Sequence, residues 1–343
     1  MDITRICISQ TDGADERHAG IRHATALRRR SFITAAASLA APAFAQTWPG
    51  KTIRMIVPYS AGGGADTVGR IVAQHMSQTL GQSVVVENRT GAAGMIAVEH
   101  VVKSPADGYT VLFDGSPIAV NPFLYAKVPF DLMRDLTPVS LAVINPNLLL
   151  VTPALPVNSV QELIALARLK PGMLTYGGVN GSGQHMAGAL FRAMSKTDLL
   201  YVPYKGGALA LNDLMGGHLN IYFSNIASGM PLIKSGLVKA LAVTSAKRSA
   251  SAPNLSTVAE SGLPGYEVLE WNGLFVPSAT PKAVVTRLHE AMREAMASAE
   301  VKARLFSIGA EGAVSSPAEF SAFLRNEMAK WSGVIKAEGI RIE

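Results

Sequence analysis

Short apolar runs alternate with segments of helical periodicity along most of this 343-residue chain. The run at 52–57 is rich in β-branched residues and predicts a strand. From Asp66 the apolar positions recur every three or four residues, which predicts a helix that ends at Gly81. The alternation continues with predicted strands at 83–86 and 109–113 and a predicted helix at 95–103.

The middle and the end of the chain repeat this plan. Ser159 and Glu162 have the spacing of a capping box, a signature of helix N-termini, and Ser316 and Glu319 form a second one. Alternation of strands and helices through short loops is typical of a parallel sheet covered by helices on both faces. The sequence therefore predicts an α/β fold, with further strands at 174–176, 200–203, 219–223 and 238–244.

Two longer apolar stretches, at 141–151 and 268–276, flank the middle of the chain. Each is long enough to leave one sheet and enter another, so we interpret them as strands that cross between two lobes. This interpretation assigns residues 46–148 plus 270–343 to the first lobe and 149–269 to the second, as in a hinged, clam-like binding protein. Two domains that follow each other along the chain are the alternative.

The first 45 residues have the three parts of a secretory signal peptide. Three arginines at 28–30 precede an apolar, alanine-rich stretch at 33–43, and a small-x-small cleavage pattern follows at 43–45. The arginine pair before Ser31 fits the twin-arginine export route, and an ordinary secretory signal with extra arginines is the alternative. We expect cleavage after Ala45 and export to the periplasm.

Removal of this segment changes the charge and the thiol chemistry of the chain. Without the six arginines and four acids of residues 1–45, the 31 basic and 25 acidic side chains become 25 and 21, a net charge of +4. These charges are scattered, which argues against a nucleic-acid partner. The single cysteine, Cys7, leaves with the signal. No apolar run reaches the roughly 20 residues of a membrane-spanning helix.

Motifs for nucleophilic, metal and nucleotide chemistry are missing from the sequence. The stretch around Ser182 lacks the G-x-S-x-G spacing of a nucleophile elbow, and the five histidines beyond residue 45 are isolated. Neither glycine-rich turn is a Walker A or a G-x-G-x-x-G motif. We therefore expect no enzyme, no metal and no cofactor. A periplasmic enzyme acting on an organic acid is the alternative, since residues distant in sequence can converge.

Two glycine-rich turns remain, at 61–64 and 177–183, one in each proposed lobe. Each follows a predicted strand and opens a helix, where unpaired N–H groups and the helix dipole favour an anion such as a carboxylate. The hydroxyls of Ser60, Thr67 and Ser182 can add donors. A tight turn with Asp66 as a helix cap is the alternative for the first one. Two such turns in two lobes favour a shared cleft.

An ordered set of motifs resembles the Bug receptors, the TctC-like extracytoplasmic solute-binding proteins of tripartite tricarboxylate transporters. Residues 58–66 resemble the family's P-x-x-x-G-G-x-x-D, and residues 87–94 resemble E-N-R-P-G-A-G-G, with Thr90 and Ala93 as departures within a turn. The resemblance extends from Trp48 to Ile340 through DGYT at 107–110, LTY at 174–176, VPYKG at 202–206, ALAVT at 240–244 and GLPG at 262–265.

The resemblance implies a two-lobed, type II-like periplasmic binding protein fold. It also implies a monomeric receptor that binds an organic acid or acidic amino acid and delivers it to the membrane components of a transporter; a sensing receptor that presents its ligand to a membrane histidine kinase is an alternative. The ligand-binding residues implied by position are Tyr59, Ser60, Ala61, Gly62, Gly63, Gly64, Asp66, Thr67, Ser116, Gly177, Gly178, Val179, Ser182, Gln184, His185, Tyr204, Phe223, Ser224 and Asn225.

Two of these residues raise questions of their own. Ser224 stands where many family members have an aspartate, so a ligand known from such a relative does not transfer directly. His185 can act as a neutral donor, as a cation whose pKa is raised by a bound carboxylate, or as an imidazole that faces solvent.

Overall fold

The computed structural model describes residues 48–341, and the predicted signal peptide at 1–45 lies outside the described residues. The elements follow one another as β1 (Ile53–Val57), α1 (Gly64–Leu80), β2 (Val84–Asn88), a 3₁₀ turn (Ala92–Gly94), α2 (Met95–Val102), β3 (Thr110–Gly115), α3 (Pro117–Leu124), α4 (Leu132–Asp135), β4 (Leu136–Val151), α5 (Val160–Leu169), β5 (Leu174–Gly178), α6 (Gly183–Ser195), β6 (Leu199–Pro203), α7 (Gly207–Met215), β7 (Ile221–Asn225), α8 (Ile226–Lys234), β8 (Lys239–Val243), β9 (Leu269–Pro277), α9 (Lys282–Ala297), α10 (Ala299–Ser307), β10 (Glu311–Gly312) and α11 (Pro317–Glu338).

The predicted α/β class is confirmed, and local sequence signals explain several helix ends. Helix α1 ends at Gly81, whose left-handed backbone (φ +66°) suits a residue without a Cβ. At Ser316 the capping box is complete, because the hydroxyl accepts from Glu319 N–H and the Glu319 carboxylate accepts from Ser316 N–H. At Ser159 only the hydroxyl half forms, since the Glu162 carboxylate accepts from Asn158 N–H instead.

The strands form one mixed sheet in the order β2-β1-β3-β9-β4-β7-β5-β6, with β8 and β10 paired to β4. Strands β1, β2 and β3 are mutually parallel, and so are β5, β6 and β7. Strand β4 is antiparallel to β7 and to β9. The first half of the sheet contains β1, β2, β3 and β9, and the second half contains β5, β6 and β7. The chain passes from the first half to the second along β4 and has returned to the first half when β9 begins. Strands β4 and β9 therefore run in opposite directions.

Strand β4 is continuous for 16 residues and belongs to both halves of the sheet. Its residues 136–146 pair with β9, and residues 147–151 pair with β7. Strand β9 stays within the first half, and just before it Val268 N–H donates to the Thr244 carbonyl beside β8. The lobe boundaries at 148 and 269 stay a prediction.

Two hydrophobic clusters pack on the same face of β4. The α1 cluster combines α1 and α9 with Val143, and the α6 cluster combines α5 and α6 with Leu149. The second half of α11 also packs into the α6 cluster through Trp331, whereas Phe320 near its start belongs to a different cluster with α2. Among residues 48–341, no helix is long and apolar enough to cross a membrane.

Candidate functional site

A polar gap separates the two clusters on this face of β4. Side chains two residues apart on a strand point to the same side, so Asn145 and Asn147 lie between Val143 of the α1 cluster and Leu149 of the α6 cluster. Helix α1 and helix α6 lie on the two flanks of the gap, and each begins at a glycine-rich turn. The structure therefore brings the two predicted turns to one polar region.

Asn147 is fully buried in this gap, and within residues 48–341 neither its Oδ1 nor its Nδ2 has a hydrogen-bonding partner. Its neighbour across the strand pair, Asn225 on β7, uses its own Oδ1 to accept from Ser228 N–H at 2.8 Å and so caps α8. Buried side-chain amides are almost always hydrogen-bonded in proteins. Asn147 can therefore offer one acceptor and two donors to a polar group in the gap.

The buried Asp66 carboxylate holds the first turn in place through hydrogen bonds. One carboxylate oxygen accepts from Gly62 N–H at 2.8 Å and from Arg70 Nε–H at 2.9 Å, and the other accepts from the Asn88 amide at 2.8 Å. Burial acts to raise the pKa of Asp66, but these hydrogen bonds and the Arg70 charge outweigh it and lower the pKa. With 2% exposure, Asp66 shapes the turn and is not in a position to face a ligand directly.

The remaining residues of the first turn are accessible. Ser60, Ala61, Gly62 and Gly64 are exposed, and Tyr59, Gly63 and Thr67 are half-buried. Gly63 is the N-cap of α1 and has no side chain that could cap the helix. The first-turn N–H groups of α1 therefore remain available as donors to other partners. The Tyr59 hydroxyl donates to Asp114 at 2.8 Å, and burial raises the pKa of Asp114 to about 6 despite two hydrogen bonds to the carboxylate.

The second turn is fixed largely by its backbone. The Gly178 carbonyl accepts from the Tyr201 hydroxyl at 2.9 Å and from Tyr204 N–H at 2.8 Å. Ser182 is the N-cap of α6, since its Oγ accepts from His185 N–H at 3.3 Å, and its own hydrogen remains available to donate. Gly177 is buried, and Val179 and Gln184 are half-buried beside it.

The His185 ring points away from the polar gap. It stacks on Tyr201 with ring centroids 3.9 Å apart and lies in a groove lined by Arg192 and Glu338. Successive side chains on a helix are rotated by about 100°, so His185 faces away from Gly183, which borders the gap. Burial and, to a lesser extent, the Arg192 charge lower the pKa of His185 to about 4. We therefore do not include the His185 imidazole among the proposed ligand contacts, either as a neutral donor or as a cation.

His185 makes the stability of the fold depend on pH. Because its pKa is about 4 in the folded protein and about 6.5 when unfolded, the unfolded chain binds a proton first, and stability falls as the pH drops from 6.5 to 4. The expected loss is about 3 kcal/mol. Denaturant unfolding at several pH values checks this by comparison with His185→Gln. Asp114 and Glu270, whose pKa values are raised, titrate in the same range with the opposite sign, so His185→Gln should remove only the contribution of His185, about 3 kcal/mol between pH 6.5 and pH 4. The same substitution at exposed His218 should retain it; equal curves for wild type and His185→Gln would refute this effect.

Four further predicted residues have mainly structural contacts. The Ser116 hydroxyl lies 3.4 Å from the Leu269 carbonyl and 3.3 Å from Trp271 N–H, so it fastens the start of β9. Phe223 is fully buried in the α6 cluster. Ser224 lies on the opposite face of β7, near α8, and does not reach the gap because side chains alternate along a strand. The Tyr204 hydroxyl donates to Asp213 at 2.7 Å.

Glu270 also lies in the gap, although the sequence analysis did not predict it as a site residue. It pairs with Asn145 across β9 and β4, and a Cβ at position 183 would lie 2.7 Å from Glu270 Cγ and 3.0 Å from its Oε1. Desolvation raises the pKa of Glu270 to about 7, and its charge contributes to the raised pKa of Tyr59 in the first turn. A single acid within the apolar stretch 268–276 was the available signal for this residue.

The gap combines open helix N-termini, a buried amide and hydroxyls, which are groups that bind a small polar molecule. Such groups can hold a carboxylate through N–H and O–H donors. Within residues 48–341, no group of three or more histidine, cysteine or acidic residues is arranged to hold a metal ion.

The chain is similar to known proteins in sequence and in structure. Residues 68–340 match the family described as "Tripartite tricarboxylate transporter family receptor" (TctC). Protein BugT of Bordetella pertussis is 34% identical over 315 residues, covering 91% of this chain and 97% of BugT. The structure of R. palustris Rpa4515 with adipate is 38% identical with a TM-score of 0.76, covering 86% of this chain and all of that one. MatC of Rhodopseudomonas palustris with bound malate is 29% identical with a TM-score of 0.72, covering 84% and 99%. This chain belongs to the tripartite tricarboxylate transporter receptor family.

Proposed function

We propose that this chain is a periplasmic receptor that binds a small carboxylate in the polar gap and delivers it to the membrane components of a tripartite transporter. The observation that carries the proposal is the position of the two glycine-rich turns. Both open a helix beside the same polar stretch of β4, which lies between Val143 and Leu149 of the two clusters. Two helix N-termini on either side of one gap can bind the two ends of an anionic ligand.

The ligand class rests on family relatives together with the groups in the gap. Rpa4515 is known with adipate and MatC with malate, and both are small dicarboxylates. In this chain, the first-turn N–H groups of α1, the Ser182 hydroxyl and the Asn147 amide are donors that suit carboxylate oxygens. Family and neighbours are solute-binding proteins, which supports binding without turnover.

We propose that the two lobes close on the ligand by bending at β4 and at the segment before β9. Strand β4 and the segment before β9 join the two clusters that flank the gap, which supports a hinge there; α11 joins them a third time. Because Trp331 packs into the α6 cluster, the second half of α11 should move with residues 149–269. The predicted signal peptide supports a periplasmic location.

Carboxylates should raise the melting temperature of the chain purified from Gln46. A ligand present at 100 times its Kd stabilises a folded protein by about 2.7 kcal/mol, which a thermal-shift assay detects readily. We expect this shift with at least one of adipate, malate and glutamate, because the gap offers donors at both ends. Glucose and putrescine serve as neutral and cationic controls. A shift with the controls alone would contradict carboxylate binding.

Delivery to a transporter is tested separately, in cells. Deletion of the gene should abolish uptake of the radiolabelled acid identified above, and a plasmid copy should restore it. A transcriptional response to the acid that is lost in the deletion, with uptake unchanged, would favour the sensing receptor instead.

A further inference from the structure

Glu270 is a carboxyl group in the gap that has no paired cation among residues 48–341. No lysine, arginine or histidine nitrogen within residues 48–341 lies within 4.0 Å of its carboxylate. It is half-buried, and it has no hydrogen bond to the α6 N–H groups beside it. An unpaired carboxylate removed from water is destabilising, so a partner for it is expected to come from the ligand.

The surroundings of Glu270 are fitted to hold a glutamate in this place. Gly183 leaves room for it, because any Cβ at that position would overlap Glu270 Cγ. The backbone on both sides of Glu270 is tied to the Ser116 hydroxyl, through Leu269 and Trp271. The carboxyl is thus held beside Gly183, the first residue of α6.

The other ionisable groups near Glu270 add no positive charge. Tyr59 approaches from the first turn and donates its hydroxyl to Asp114. Asp114 is itself a buried carboxyl whose partners are the Tyr59 hydroxyl and Gly115 N–H. Within residues 48–341, Glu270 therefore has a second carboxyl nearby and no paired cation, an arrangement that disfavours a ligand that is anionic over its whole length.

We propose that Glu270 is a specificity-determining residue that selects carboxylates bearing an ammonium group, such as amino acids, over plain dicarboxylates of the same carbon skeleton. The inference rests on the proposed carboxylate-binding function and narrows its ligand class. The ligand carboxylates bind the donors of the turns, and the ammonium group pairs with Glu270. A charge pair of this kind, shielded from water, contributes more to the specificity of binding than to its overall affinity.

Calorimetric titration with three matched pairs tests this assignment: succinate with aspartate, glutarate with glutamate, and adipate with 2-aminoadipate. The wild-type protein at pH 8 should bind the amino acid of at least one pair about tenfold more tightly than its plain partner. Glu270→Gln should remove that preference, mostly by weakening the binding of the amino acid. Glu294→Gln, which makes the same change on the exposed face of α9, should retain it.

The outcomes separate the inference from the proposed function. Equal or tighter wild-type binding of the plain acids would overturn the role of Glu270 and leave the carboxylate receptor standing. Unchanged preference in a folded Glu270→Gln protein would also overturn it. No binding of any of the six acids would overturn both proposals together. The wild-type comparison alone decides the preference should the variant fail to fold.

Discussion

Asp66→Ala is expected to lower both the free energy of unfolding and the affinity for the carboxylate ligand. The substitution leaves Gly62 N–H without its acceptor and takes one of two acceptors from the Asn88 amide, in a region where Asp66 is almost fully buried. Loss of hydrogen bonds to a buried charged group should cost about 2–4 kcal/mol. The first turn loses the contact that fixes Gly62, so the α1 N–H groups no longer have a defined partner geometry. Urea denaturation and calorimetry measure the two effects.

Arg70→Ala is the matched control for this network. It removes the half-exposed cation and its hydrogen bond to Asn88 Oδ1, and it leaves the Asp66 bonds to Gly62 and Asn88 in place. We expect a loss below about 1 kcal/mol and nearly unchanged affinity, as for other exposed ion pairs. Equal effects of the two substitutions would show that the Arg70–Asp66 pair, and not the organised turn, is what matters.

Gly178→Ala is expected to have the second large effect, through the position of α6. A Cβ at 178 would lie 2.8 Å from the backbone N of His185 and 2.9 Å from its Cα, so the helix itself must move. Overpacking against backbone typically costs about 1–3 kcal/mol. Since Gly183 and Ser182 move with the helix, ligand affinity should fall at least about tenfold, because donor positions must be accurate to about 0.5 Å.

Gly333→Ala provides the matched control, since the same methyl group at that exposed position of α11 meets no atom within 4 Å. It should raise the free energy of unfolding by up to about 1 kcal/mol through helix propensity and leave affinity unchanged. If Gly178→Ala behaved like Gly333→Ala, the second turn would be unimportant for binding.

Local signals in the sequence predicted most of the elements. Periodicity placed α1, caps placed the starts of α5 and α11, and β-branched runs placed β1 and β2. The antiparallel setting of β4 and β9 did not follow from these signals, because strand partners are decided by contacts between residues more than 100 positions apart. Helices α3, α4, α7, α8, α9 and α10 were not predicted. Of these, α3 and α8 each contain an internal proline that weakens the helical pattern.

The two turns were predicted as a pair, but the roles of individual side chains were not. Asp66 was expected to contact the ligand, but in the structure its carboxylate accepts a hydrogen bond from Gly62 N–H within the turn. His185 follows Gly183 by only two residues, yet helix geometry turns it to the other side. Asn147 and Glu270 became visible only from strand register, although each interrupts an apolar stretch of the sequence. Polar residues inside predicted crossing strands are therefore a useful signal for a binding gap.

Amide hydrogen exchange with and without a saturating acid from the thermal-shift panel measures whether the ligand contacts both turns. We expect protection to rise in both segments that open onto the gap, residues 60–67 and 179–185, and to change little in the groove around Arg192 and Glu338. Protection of only one segment, or protection confined to the His185 groove, would contradict binding between the two turns.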